Sequence, residues 1–529
     1  MIVSIFNDVI GPVMRGPSSS HCAAALRIGR LARDLMDADL QDVLVEFDRQ
    51  GSLPTTHASQ GSDMGLFGGL MGWDAADERL VGSPQALRDA SVQVRIAIVE
   101  VGDEHPNTYR LTLRNNREQH FLRAISTGGG MMEVINVDGF KVSFSGDCHE
   151  TLLRVNGDGQ AVARRLAELV EADAILLHES AGQHLVEVKA AQFLSEETIE
   201  ALRAGSSLRQ VKRLGPVLPV SSRKGTRLPF TTCEEMLSHD AGRNTPLWKL
   251  AAEYEMTRGN LTEREVIARM AEIVRILRRS IQQGIAGTRY DDRVLGHQSG
   301  KFNELIKAGR LLNGGALNRI VLYVSALMEV KSAMGVIVAA PTAGACAALP
   351  AAVIAMAEEL GLGEDDMAKA MLASGIIGVF IATRWTFAAE VGGCQAEGGS
   401  AACMAAAALV TLANGTLTQS VAAASMAFQS MLGLICDPVA NRVEVPCLGK
   451  NVMAASNALS CANMALADYD PVIPLDEVIE TARRVAAQMP RELRCTALGG
   501  LSVTKTSQAL EQKLAARKAA YGCHCRPMN

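Results

Sequence analysis

The sequence predicts a multidomain protein: an α+β amino-terminal domain, a small α+β module, and a large all-α carboxy-terminal domain. Three observations lead there. The chain has 529 residues, more than one hydrophobic core usually serves. Up to about residue 205, short apolar or alternating runs interleave with amphipathic helical ones. Beyond about 240 an Ala-rich helical pattern takes over. With aromatics at only 4%, that composition suits closely approaching helices rather than a sandwich or barrel.

In chain order, residues 1–150 hold the strands "VLVEFDR" and "VQVRIAIVEV" and the helix "AAALRIGRLARDLM". Residues 151–206 read as strand "TLLRVNG", helix "GQAVARRLAELVEA", strands "AILLHES" and "HLVEVKA", then helix "SEETIEALRAG". That βαββα order fits a regulatory module. Residues 207–240, rich in Pro, Ser and basic side chains, read as a linker. The helical domain fills 241–529, and its long helix "LTEREVIARMAEIVRILRRSI" opens on a Thr262-x-x-Glu265 capping box. There is no internal repeat.

A net charge of −5 supplies no basic field, so a nucleic-acid partner is not expected. The start "MIVSIFNDVIGPVMRG" lacks the basic and apolar regions of a signal peptide, which predicts a cytoplasmic protein. Two charge-free stretches, Ser400 to Cys436 and Gly335 to Ala357, are long enough to span a bilayer. The first is mostly Ala broken by polar residues, and the second contains Pro341 and Pro350. Neither has an aromatic belt, so both are expected as buried helices, with no membrane partner.

Of twelve cysteines, nine fall between Cys346 and Cys525. Cytosolic thiols stay reduced, so this imbalance points to metal or redox chemistry in the helical domain. Cys394 in "EVGGCQAEGGSA", Cys436 in "LICDPVANR" and Cys447 in "VEVPCLGKN" lie among glycines and prolines. An irregular backbone there can turn several thiolates toward one point, a donor set that selects zinc or iron–sulfur. Packed small hydrophobes are the alternative. In "GPSSSHCAAALRIGR", an N-cap explains one serine but not three followed by His21. His105-Pro106-Asn107-Thr108 suits a turn, and "STGGG", Ser126 to Gly130, could cradle an anion through its N–H groups.

Longer strings carry a resemblance. "GGCQAEGGSAACMAAAA", "LGLICDPVANRVEVPC" and "PTAGACAALPA" resemble the α part of the bacterial iron–sulfur L-serine dehydratases. "FNDVIGPVMRGPSSSHCAAALRIGRLARDL", "DERL", "HPNT" and "STGGG" resemble their β part. The resemblance covers most of the chain in the family's order and implies a fused form. It implies a 4Fe–4S cluster on Cys394, Cys436 and Cys447, an ACT-like module at 151–206, and a small-molecule amino-acid substrate; a homodimer is expected. It implies a pocket in which Ser20 and His21 are catalytic. Ser18, Ser19, His57, Asp63, His105, Asn107, Thr108, Ser126, Gly128, Gly129, Thr342 and Gly344 would bind substrate. In the family a carboxyl-terminal cysteine can cap the open iron; Cys523 or Cys525 would do so here, with Cys495 a third candidate.

The chemistry implied is loss of water from a β-hydroxy amino acid. An open iron would act as Lewis acid and a base would take the Cα proton; the enamine then hydrolyses to keto acid and ammonia. L-Serine, giving pyruvate, is the expected substrate. Several residues depart from the family: Cys22 for threonine, Glu329 and Lys331 for asparagines, and Asn441-Arg442 for small or apolar residues. Arg442 could bind a second carboxylate and so favour a dicarboxylic substrate. A non-catalytic amino-acid or redox sensor is a second reading. A pyridoxal phosphate enzyme using "STGGG" is a third, though no Schiff-base lysine motif accompanies it.

Overall fold

The structure, a computed structural model, describes residues 2–204, 208–221 and 226–520, with side chains up to residue 517. In the amino-terminal domain, six strands run in the order Gln93–Val99, Asp42–Asp48, Thr108–Arg114, Gln119–Gly128, Met131–Val137, Phe140–Phe144. Only the first two pair in parallel. Alternation in Asp42–Asp48 and Gln119–Gly128 turns one face toward the helices Ala24–Leu35 and Ser62–Leu70. Those helices approach closely because Gly65 and Gly69 carry no side chain. A Cβ there would stand 2.0 Å from the carbonyls of Cys22 and Leu26 respectively.

The small module is a four-stranded antiparallel sheet ordered Leu208–Leu214, His149–Val155, Gln183–Ala190, Ala174–Ser180, with helices Gly159–Leu169 and Glu196–Arg203. Its order is βαββαβ, the ferredoxin-like arrangement, one strand longer than the sequence suggested. The extra strand comes from residues expected to be linker. In "LRQVKRL" three basic residues and a glutamine stand among three apolar ones without strict alternation, and the basic ones hid the strand. Lys212 is buried and neutralised by Asp37 and Glu118, each at 2.7 Å. The helix Cys233–Asp240 also forms within the expected linker.

In the helical domain, Ser400–Leu412 is buried almost all round and packs against Glu364–Arg384, Leu417–Gln429 and Cys447–Leu466. Small Ala side chains allow that proximity. The charge-free stretches are broken, as expected of interior helices: at Asn414 and Gly415 in one, and into strand Ile337–Val338 and helix Ala348–Glu359 in the other. Among the described residues, one helix, Glu364–Arg384, is long and apolar enough to cross a membrane, and 78% of its apolar window is buried within the protein. The capping box at Thr262 and Glu265 forms.

The boundary expected at residue 150 is not the only junction. The first residues of the chain are threaded into the helical core, where Ile5, Phe6, Val9 and Ile10 are buried. Val13–Met14 pairs antiparallel with Ile337–Val338. The buried Glu255 accepts from Ser4 Oγ at 2.6 Å and Ile5 N at 2.8 Å. This anchor delivers residues 16–21 to the edge of the helical domain.

Candidate active site at the domain junction

The Ser18 to His21 stretch opens a helix through one π-turn, Ser19–Ala23, with Ser18 as its N-cap. The three serines have separate tasks. Ser18 Oγ bonds His21 Nδ1 at 3.0 Å, Ser19 Oγ accepts from Ala343 N at 3.1 Å, and the carbonyl of Ser20 accepts from Ser126 Oγ at 2.8 Å. The first turn of a helix leaves N–H groups without intrahelical partners, which suits an anion. His21 is fully buried, and burial lowers its pKa to about 3, so it is neutral. Its Nε2 lies 2.8 Å from Thr56 Oγ1, and its Nδ1 lies 3.3 Å from Glu390 of the helical domain.

Asn107 is tied to this group through Ser52, whose hydroxyl donates to its Oδ1. His105 Nδ1 accepts from Asn107 N at 3.2 Å, and Thr108 Oγ1 donates to the carbonyl of His105 at 2.7 Å. Burial drives His105 down to about 4. His57 and Asp63 form a pair at 2.7 Å, each about one-fifth exposed, close enough that His57 depresses His21. Gly128 and Gly129 carry the "STGGG" turn against the helical domain. A Cβ on Gly128 (φ +107°) would stand 2.7 Å from Ala388 N, and one on Gly129 3.3 Å from the carbonyl of Pro341. Thr342 donates to Glu397 Oε1 at 2.7 Å, and Gly344 leaves room for the same carboxylate. The fourteen residues that the resemblance assigns to a pocket thus lie on or beside one junction between the domains.

The thiols converge on its far side. Cys394 Sγ, Cys436 Sγ and a Glu397 oxygen lie within 4.8 Å of one another. Cys436 also interacts with Cys495, whose N–H donates to the Cys436 carbonyl at 3.3 Å. Cys447 begins the helix Cys447–Leu466 within electrostatic reach of Cys394 and Glu397, where the helix dipole favours a thiolate. Mutual contact and burial push Cys436 far up, and burial pushes Cys447 up. Buried thiols of this kind ionise against a cation, and a metal centre provides one while accepting their sulfurs. The donor set thus fits a metal or iron–sulfur centre. Lys450 stands 3.6 Å from Cys394 Sγ, held by Asp437 at 2.8 Å.

The residues that depart from the family find their partners within the protein, and Cys22 packs as a small side chain is expected to. Arg442 pairs with Asp292 and donates to the carbonyl of Ser59 at 3.0 Å, so its two terminal nitrogens are committed within the protein rather than offered to a second carboxylate. The apolar surroundings of Glu329 and Lys331 in the sequence suggest a buried structural pair; both are buried, but each bonds elsewhere. Glu329 accepts from Gln298 N and Ser299 N at 2.9 Å, while Lys331 donates to the carbonyl of Val443. Cys22 is a packed side chain, its thiol pushed up to about 12 by burial. Cys523 and Cys525 lie outside the described residues. Glu390, Glu397, Thr56 and Gln60 were missed. Gln60 joins the two sides, donating to Asn441 Oδ1 at 2.9 Å and reaching Cys495 at 3.7 Å. The only signal for the two glutamates was their place either side of Cys394, charged residues in an otherwise apolar stretch.

Residues 242–502 match the family described as serine dehydratase alpha chain. The chain is 38% identical over 265 residues to a probable L-serine dehydratase alpha chain of Bacillus subtilis, covering 50% of this chain and 88% of that protein. It is 37% identical over 155 residues to the probable beta chain of the same organism, covering 29% of this chain and 69% of that one. The L-serine dehydratase of Streptomyces coelicolor is 29% identical over 513 residues, 95% of this chain and 99% of its own length.

Proposed function

The chain belongs to the L-serine dehydratase family, with beta and alpha parts fused in one polypeptide, and from that premise we propose that it converts L-serine to pyruvate and ammonia at the junction described above. One observation carries the reading. A buried set of thiols and a carboxylate in the helical domain stands beside a buried hydroxyl, imidazole and amide set from the amino-terminal domain.

A 4Fe–4S cluster on Cys394, Cys436 and Cys447 would supply Lewis acidity toward the substrate hydroxyl, and Lys450 would offset the charge of its thiolates. The chain's own groups do the rest. The helix opening at Ser18 to Ser20 offers N–H groups and a favourable dipole to the substrate carboxylate. Thr56 and Ser18 hold the neutral His21 ring in place. His57, Asp63, His105, Asn107 and Thr108 wall the pocket, and the Gly128–Ala388 contact seals the turn against the helical domain. The enamine released by dehydration tautomerises and hydrolyses in water to keto acid and ammonia.

Of the three candidates for the capping cysteine, Cys495 is supported by its burial against Cys436, while Cys523 and Cys525 lie outside the described residues. The βαββαβ module at His149–Leu214 is suited to ACT-like regulation, and the reduced thiols suit the cytoplasm. The pairing of Arg442 with Asp292 favours serine over a dicarboxylic relative. The test is an anaerobic assay of the full chain against a panel of β-hydroxy amino acids, reading keto acid and ammonia. Equimolar pyruvate and ammonia from L-serine is the expected result. An intact cluster spectrum without product from any member would instead make the protein a sensor.

A further inference from the structure

The proton inventory around His21 singles out one group. The Thr56 hydroxyl has one proton and gives it to the carbonyl of Ser52 at 2.8 Å. His21 Nε2 must then donate to Thr56 Oγ1, so the network assigns Nδ1 as the acceptor. That lone pair faces Ser18 Oγ at 3.0 Å and Glu390 Oε1 at 3.3 Å. An ionised Glu390 meets a lone pair there and is destabilised, whereas a protonated Glu390 can donate to it. Burial, and then the nearby Glu397, raise Glu390 to about 7; the His21 lone pair facing Oε1 works in the same direction.

The other oxygen is spare. Glu390 Oε2 is buried with no hydrogen-bond partner, in a side chain only 2% exposed. Asn107 Nδ2 is also buried with no acceptor at ordinary hydrogen-bond distance, and it approaches the same carboxylate as a weak donor that favours the charged form. Native proteins rarely leave such atoms unpaired. An acceptor from one domain and a donor from the other are available here to a polar molecule held between them.

We propose that Glu390 is the base of the elimination, with His21 as its positioning residue, a role that rests on the serine reading above. As the Cα–H bond breaks, its proton bonds to Oε2 and its electron pair forms the Cα–Cβ double bond. Hydroxide leaves Cβ with the electron pair of the broken C–O bond. The proton taken up by Glu390 then combines with that hydroxide as water, restoring the carboxylate. No further reactant is required.

The test compares wild type, Glu390→Gln and Glu390→Asp, each purified anaerobically, by iron content, absorbance spectrum, kcat and KM for L-serine. Removing a general base costs about 10²–10⁴-fold. Glu390→Gln is expected to lose at least a hundredfold in kcat with KM within threefold and iron content unchanged, and Glu390→Asp to recover part of the loss. A Gln variant within tenfold of wild-type kcat overturns the proposal. Loss of iron from both variants also overturns it, by making Glu390 a structural support of the metal centre. Absence of pyruvate from wild type with iron bound removes the serine reading itself, and with it the role assigned to Glu390.

Discussion

Gly128→Ala tests whether the contact between domains sets the geometry of the site. Gly128 has φ +107° and lies where a Cβ would stand 2.7 Å from Ala388 N and 3.0 Å from Ala388 Cβ. Positive φ costs an L-residue about 1–2 kcal/mol, and forcing an extra carbon into a packed contact costs about 1–3 kcal/mol. Together these give about 2–5 kcal/mol, shared between lost stability and displacement of the segment around Ala388. Glu390 lies two residues further on, and misplacement by an ångström can cost about a hundredfold in rate. Gly102→Ala is the control, because its φ is +71° with nothing within 4 Å of a Cβ. It should lose only the backbone share, about 1–2 kcal/mol, and keep full activity. The assay is pyruvate release alongside thermal unfolding. Equal activity in the two variants would refute the idea that this contact positions the site.

Other outcomes follow from the same geometry. Cys394→Ser, Cys436→Ser and Cys447→Ser should each strip bound iron and abolish turnover, read by metal analysis and keto-acid release. Cys495→Ser should retain iron under argon but lose its visible absorbance faster in air, while deletion of residues 523–529 should leave that rate unchanged. His21, held near pKa 3 when folded, takes up a proton on unfolding as pH falls below its ordinary value near 6.5. Stability should therefore fall with acid between those values, and by pH 5 wild type should have lost about 2 kcal/mol more than His21→Gln, measured by denaturant unfolding at pH 5 and 7. Asp292→Ala should free Arg442 and raise turnover of 3-hydroxyaspartate relative to serine in a competition assay.

Much of the site was legible because its residues sit in compact strings. Ser18 to His21, His105 to Thr108 and Ser126 to Gly130 each carry several polar or glycine residues within one turn, and the resemblance of those strings to the family marked them as candidate pocket residues. The fold was legible where period and composition agreed, as in the strands of the small module and the capped helix after Thr262. The strand Leu208–Leu214 was not, because its basic residues resemble a solvated linker until Asp37 and Glu118 are brought in from elsewhere in the chain. Glu390 and Gln60 were hidden for a related reason. Each is an ordinary polar residue, and only tertiary contacts, with His21 for Glu390 and with Cys495 for Gln60, bring it into the candidate site. Arg442 shows the converse: an unusual charge drew attention, and a distant aspartate accounts for it.

The central claim is that a thiol-held metal centre and the amino-terminal pocket act as one dehydratase site. The most direct measurement takes a single anaerobic preparation and determines iron, sulfide, visible absorbance and pyruvate release from L-serine together, before and after chelation of the metal. The account predicts equal iron and sulfide, a broad absorbance shoulder, and pyruvate release that disappears with the iron. Full serine turnover in iron-free protein, or a sharp aldimine band in its place, would contradict it.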